Sequence, residues 1–187
     1  MKYKATFSIL ALALIAVIAA VTLPDQTTSA SSLVASATPK RKASVKTVRE
    51  ITYTDGEYDG VALATSDAEW KKILAPAEFN VLRQEGTERP YSGALNKNYK
   101  KGTYYCGACG LALFSSASKY DSETGWPSFF QPINKKNIVE TADNSLSEER
   151  IEVECARCGS HIGHVFDDGP RPTGLRYCLN SVALRFK

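Results

Sequence analysis

The chain has 187 residues, five cysteines, two histidines and a formal charge of +3, but seven basic residues against the single acidic Asp25 fall in the first 49. What remains holds 16 basic and 19 acidic residues, a mildly acidic stretch long enough for one modest core. That balance lacks the basic stripe expected of a nucleic-acid-binding surface, and no repeat is present beyond one doubled cysteine motif.

Residues 1–23 carry Lys2 and Lys4 ahead of an almost unbroken apolar run from Phe7 to Leu23, the form of a secretory signal peptide. A run of about 17 apolar residues also sits at the lower edge of what spans a bilayer, so a membrane anchor is the alternative. The Ala-rich interior and the small residues that follow favour cleavage. Residues 24–49 are rich in Ser, Thr and Ala, with Lys40, Arg41, Lys42 and Lys46 and no acidic residue between Thr27 and Val48. Transit peptides have this composition, and behind a signal sequence it resembles the two-part address of plastids bounded by extra membranes. A disordered tail on an exported protein has it too. The working domain is therefore expected over residues 50–187.

Ser66-Asp-Ala-Glu69 is a capping-box pattern followed by Trp70, Ile73 and Leu74 at helical spacing, which predicts a short helix ended by Pro76. A second helix is predicted from Pro76 through Phe79 and Leu82, stopping before Gly86. From Tyr91 onward, Gly, Pro and Asn punctuate short β-prone runs: Thr103 to Cys106, Leu111 to Phe114, Ile151 to Cys155 and Tyr177 to Phe186. In Ile151-Glu-Val-Glu-Cys155, charge alternates with apolar residues as in a strand with one wet face. The expected fold is mainly β, antiparallel, with a helical lead-in.

Cys106-Gly-Ala-Cys109-Gly110 and Cys155-Ala-Arg-Cys158-Gly159 are two copies of one motif, with 45 residues between Cys109 and Cys155. Thiolates three residues apart can grip one ion across a tight turn, and the following glycine lets the backbone turn away with positive φ. Two such turns make a closed tetrahedral site that suits Zn2+. Disulfides are the alternative in an exported chain, and four thiolates could also hold an iron-sulfur cluster. A closed site does no chemistry, so function must lie elsewhere.

Gly125-Trp126-Pro-Ser-Phe129-Phe130 reads either as core aromatics on a turn or as a pocket wall, in which Trp126 and Phe129 offer a small methyl group an apolar surface. Both histidines fall in His161-Ile-Gly-His164-Val-Phe-Asp-Asp168, directly after the second cysteine pair. They could be further metal ligands, but four cysteines already satisfy one ion. The better reading makes them proton donors or hydrogen-bonding groups facing a thiol. Cys178 is the cysteine left over, and a lone cysteine is more often an inert buried hydrophobe. In Arg176-Tyr-Cys178-Leu-Asn180, however, a period of two puts Arg176, Cys178 and Asn180 on one face, running on into Val182, Leu184 and Phe186. A guanidinium beside the thiol is expected to lower its pKa and make it a nucleophile near neutral pH.

Together the paired C-x-x-C motifs, Gly-Trp-Pro-Ser-Phe, His-x-Gly-His-Val-Phe, Asp-Gly-Pro-x-Pro-Thr-Gly and Arg-Tyr-Cys-x-Asn-Ser resemble the B-type methionine sulfoxide reductases over Asp67 to Phe186. The resemblance implies a pair of antiparallel sheets and reduction of methionine-R-sulfoxide in oxidised proteins. Cys178 would attack the sulfoxide sulfur, Trp126 would hold the methyl, and His161, His164, Asp168, Arg176 and Asn180 would line the site and assist proton delivery. The cysteine would end as a sulfenic acid. Many relatives carry a resolving cysteine just before Gly-Trp-Pro-Ser-Phe, where this chain has Thr124. The expectation is a one-cysteine enzyme, monomeric, recycled by thioredoxin, glutaredoxin or a small thiol. The competing function is a zinc-ribbon-like module that binds a ligand in its pocket and catalyses nothing.

Overall fold

The computed structural model describes residues 51–187 apart from Ser147, so the apolar leader of residues 1–23 and the segment 24–49 lie outside the described residues. The capping box forms as the sequence predicts. The Ser66 hydroxyl accepts from the Glu69 N–H and the Glu69 carboxylate accepts from the Ser66 N–H, opening α1 (Asp67–Ile73). Pro76 opens α2 (Pro76–Gln84) at a position where no N–H is needed. That helix ends at Glu85, which takes the left-handed conformation itself (φ 56°), one residue before Gly86. No described helix is long and apolar enough to cross a membrane.

Nine strands follow among the described residues: β1 (Thr103–Cys106), β2 (Ala112–Ser115), β3 (Lys119–Tyr120), β4 (Ser128–Phe129), β5 (Ile138–Asp143), β6 (Arg150–Cys155), β7 (His161–Phe166), β8 (Arg176–Leu179) and β9 (Leu184–Phe186). They make two sheets with antiparallel neighbours, one ordered β2-β1-β9 and the other β3-β4-β8-β7-β6-β5. Tyr104, Phe114, Phe129 and Tyr177, all nearly or fully buried, bring aromatic rings from both sheets into one core, with centroids 4.9–5.4 Å apart. Trp70, Phe79 and Leu82 carry α1 and α2 onto that core, α2 lying against β7.

One expectation fails at the end of the chain. Tyr177 to Phe186 is not a continuous strand: a 3-10 turn over Ser181–Ala183 divides β8 from β9, and the two strands belong to different sheets. The cause is Glu88, whose carboxylate accepts from the Ser181 and Val182 N–H groups at 2.7 and 3.1 Å. Those two donors are thereby drawn out of any ladder, and the face shared by Arg176 and Cys178 does not continue into Val182, Leu184 and Phe186.

Candidate active site and metal centre

The two cysteine motifs fold as a matched pair of turns. In each, the glycine N–H donates to the first cysteine's carbonyl, Gly110 to Cys106 at 2.9 Å and Gly159 to Cys155 at 2.8 Å. Both glycines take positive φ, 74° and 60°, as a turn of this shape requires. The first turn joins β1 to β2 in the small sheet and the second joins β6 to β7 in the large one, so the four sulfurs lie where the sheets meet. Cys106 and Cys158 Sγ are 3.6 Å apart, Cys109 and Cys155 Sγ 3.5 Å, and all four lie within 4.8 Å of one another.

A disulfide would need about 2.05 Å, and all five cysteines are free thiols. A tetrahedron with zinc–sulfur arms of about 2.3 Å has edges of about 3.8 Å, close to the spacing observed. Burial pushes the Cys106 and Cys155 thiols up, while hydrogen bonds from the other three cysteines pull Cys158 down; four thiolates this close repel one another unless a cation lies between them. The donor set and its geometry fit a single soft divalent ion with no open position.

Away from this centre, a pocket of about 120 Å³ contains Trp126, His164, Cys178 and Asn180 in its wall, together with Thr87, Arg150, Gly163, Phe166 and Leu179. Cys178 and His164 sit opposite each other on β8 and β7, and Ser128 of β4 is opposite Cys178 on its other side. Gly163 makes the close approach possible, since any Cβ there would collide with the Cys178 carbonyl. Trp126 is fixed by its indole N–H, which donates to the Glu88 carbonyl at 3.1 Å. Asn180 is nearly buried. Its side chain accepts from the Glu88 N–H at 3.0 Å and donates to the Ile162 carbonyl at 3.2 Å. One segment around Glu88 thus positions the indole, the asparagine and the turn beyond it.

Of the other predicted residues, His161, Asp168 and Arg176 stand outside the pocket wall, and His164 within it is anchored from behind. His161 is 3% exposed; its Nδ1 is 2.6 Å from the Glu152 carboxylate, while Nε2 is buried with no partner among the described residues. His164 Nε2 is 2.8 Å from Asp143, which also pairs with Arg150 at 2.6 Å. Burial is the largest influence on both imidazoles and holds both below the ordinary histidine value. Asp168 and Arg176 form a two-pronged pair, both contacts at 2.7 Å, with the guanidinium over the Phe166 ring.

Two expectations change. Phe129 does not wall the pocket: it is fully buried and packs on Tyr104 and Phe114, because β4 turns Phe129 into the core while its neighbour Ser128 faces the site. Phe166 supplies the aromatic wall instead. Nor is the Cys178 thiol acidified. Burial raises its pKa above the ordinary thiol value, outweighing the lowering by a hydrogen bond with Thr124 and by the Arg176 charge. Arg176 is already committed to Asp168, which cancels much of its field. Sequence reasoning missed Glu88, Asp143, Arg150 and Glu152. The alternation in Ile151-Glu-Val-Glu-Cys155 held a signal for Glu152: a carboxylate on an inner strand calls for a partner, and His161 is it.

Residues 74–187 match the family profile described as the SelR domain. The peptide methionine sulfoxide reductase MsrB of Leptospira interrogans serogroup Icterohaemorrhagiae serovar Lai is 56% identical over 122 residues, covering 65% of this chain and 93% of its own. The protein of that name from Methanosarcina barkeri is 57% identical over 126 residues, 67% of this chain and 89% of its own. That of Pseudomonas putida strain W619 is 53% identical over 119 residues, 64% and 90%.

Proposed function

This chain belongs to the SelR family, the B-type methionine sulfoxide reductases, and on that premise we propose that it reduces methionine-R-sulfoxide in oxidised proteins with Cys178 as the nucleophile. The observation that carries the assignment is the placing of Cys178: it is the one cysteine outside the metal cluster, it opens onto the pocket walled by Trp126, and it faces His164 across two strands.

A thiol held neutral by burial suits this reaction. Reduction of the sulfoxide begins as the Cys178 sulfur bonds to the substrate sulfur while the thiol proton passes to the sulfoxide oxygen. The oxygen then moves to the cysteine, giving methionine and Cys178 sulfenic acid, so the first half-reaction balances with no outside proton or electron. His164, its charged form disfavoured by burial and its ring anchored by Asp143, is the group placed to relay that proton. Arg176 and Asp168 keep the charge beside the sulfur fixed. Trp126 offers the methyl an apolar face, and polar groups on the opposite wall take the oxygen, which leaves one sulfoxide epimer correctly presented.

Thr124 stands where a resolving thiol would be needed, and the other four cysteines are gathered in the metal cluster. The sulfenic acid is therefore attacked by an external thiol, releasing water and leaving a mixed disulfide that a second thiol reduces. Thioredoxin, glutaredoxin or a small thiol can each serve. Cys106, Cys109, Cys155 and Cys158 hold one Zn2+, which supplies structure only. The apolar leader and the acid-free stretch behind it support entry into the secretory pathway, ending in a plastid or in export. The test is reduction of a peptide containing methionine-R-sulfoxide, with dithiothreitol as reductant. Wild type turns over and Cys178→Ser does not, while both keep the same metal content. Residual activity within a few-fold in the variant would remove Cys178 from the mechanism.

A further inference from the structure

Beside Cys178 lies a run of three hydroxyls that the reaction as derived above does not use. Thr124 Oγ1 is 3.8 Å from Cys178 Sγ, within reach of a sulfur hydrogen bond. It is also 2.8 Å from Ser122 Oγ, which is 2.7 Å from Ser128 Oγ, and the Ser128 hydroxyl is 3.2 Å from the Trp126 carbonyl. A carbonyl can only accept, and each hydroxyl has one proton to give. With the Ser128 proton on the Trp126 carbonyl, Ser122 donates to Ser128, Thr124 donates to Ser122, and the Cys178 thiol donates to Thr124. Every bond runs away from the sulfur. When the sulfur loses its proton the order reverses: Ser128 donates to Ser122, Ser122 to Thr124 and Thr124 to the thiolate, and only the bond to the Trp126 carbonyl is lost.

We infer that Thr124, Ser122 and Ser128 form a reversible donor chain that serves Cys178 in both protonation states, with Thr124 as the catalytic hydrogen-bond donor to the ionised sulfur and the two serines as positioning residues. No proton travels along the chain; its hydroxyls only turn. The thiol proton still goes to the sulfoxide oxygen, and the chain meets the charge that develops on sulfur as it leaves. The other charged and titratable groups facing Cys178 are Arg176 with Asp168 on its own side of the sheet, His164 with Asp143 and Arg150 across β7, and Tyr120 on β3. The paired ones keep their partners when the chain turns, so the switch belongs to the hydroxyls.

The inference rests on Cys178 being the reacting sulfur, but its test reads the sulfur without any substrate. The rate of Cys178 alkylation by iodoacetamide is followed against pH in the metal-loaded protein. Thr124→Val keeps the shape and removes the donor, so alkylation at pH 7 should fall about tenfold or more, the loss of a hydrogen bond to a charged atom. Thr124→Ser should restore the wild-type profile. Ser122→Ala should act with the opposite sign: ionisation then breaks no bond, because the Thr124 proton is already free for the sulfur, and alkylation at pH 7 should rise about two- to tenfold.

Opposed shifts support the chain. A wild-type profile in Thr124→Val, or shifts of both variants in the same direction, would overturn it. If Thr124→Val fails to fold, Ser122→Ala decides alone, since no rise there removes the chain. Formation of methionine from the R-sulfoxide in a single turnover is measured on the same proteins. Opposed alkylation shifts with no methionine formed by wild type would sink the reductase reading and leave the chain standing. Methionine formed by wild type with unshifted profiles would do the reverse.

Discussion

Replacing Cys158 by serine should unfold the protein's junction before it touches the chemistry. The substitution leaves three sulfurs in a cluster whose members are otherwise 3.5–3.6 Å from their nearest partners, and it buries a hydroxyl where the site was shaped for an anion. Binding of a structural zinc contributes about 10–16 kcal/mol to folding in small zinc domains, against a net stability of about 5–15 kcal/mol for a typical domain. Even if only about 5 kcal/mol were lost, a domain of this size would melt at least about 15 °C lower. Activity should fall with it, because β7, which carries His161 and His164, starts directly after the second cysteine turn. The assay is metal content by mass spectrometry beside thermal unfolding by circular dichroism, for wild type, chelated wild type and Cys158→Ser. One zinc per chain in wild type only, with both metal-free samples melting early, is the expected result. Metal-free protein with an unchanged melting temperature, or cysteines of the two motifs joined in disulfides, would refute the reasoning.

Further outcomes follow from the pocket and its supports. Glu88→Ala should cost about 2–4 kcal/mol, because it strips the acceptor from two backbone N–H groups of the Ser181 turn, and denaturant unfolding will measure it; a loss below about 0.5 kcal/mol would remove Glu88 as the organiser of that turn. Cys178 alkylation in wild type should climb through pH 9 with no plateau near neutrality, since burial raises its pKa. The sign for stability is the matching one. A thiol with a raised folded pKa favours the fold below its ordinary value and loses that contribution as pH rises through the folded value. Wild type should therefore weaken relative to Cys178→Ser in melts above pH 9, and parallel melting curves would contradict this. Given substrate and no reductant, the enzyme should stop after one turnover with no intramolecular disulfide in a peptide map. A Cys178 disulfide to any metal-motif cysteine, formed at catalytic rate, would defeat both the one-cysteine assignment and the zinc reading.

Local rules carried far into this fold. The Ser66 to Glu69 capping box and Pro76 at a helix start are decided by backbone donors within one turn, and both helices form where those residues put them. The cysteine motifs were equally legible, since spacing and the following glycine fix each turn by itself. Only the meeting of the two turns needed the tertiary structure. What the sequence hid was what long-range partners decide. The strand expected from Tyr177 to Phe186 has the right alternation throughout, but a carboxylate from Glu88, far away in the chain, captures two of its N–H groups and turns it. Phe129 and Trp126 look alike as aromatics on one motif, and only the pairing of β4 with β8 sends one into the core and leaves the other at the pocket. The acidity of Cys178 was misjudged for a similar reason. Arg176 is visible beside it in sequence, whereas the burial of the sulfur and the commitment of Arg176 to Asp168 are not.

The central claim is that Cys178 takes the sulfoxide oxygen. It is tested most directly by mixing reduced wild-type protein with one equivalent of a methionine-R-sulfoxide peptide, quenching with a sulfenic-acid trap, and mapping the products by mass spectrometry. The account predicts one methionine formed per chain and the trap on Cys178 alone, with the S-sulfoxide peptide unchanged. Methionine formed with Cys178 still a free thiol, or the trap on a cysteine of either C-x-x-C pair, would contradict it.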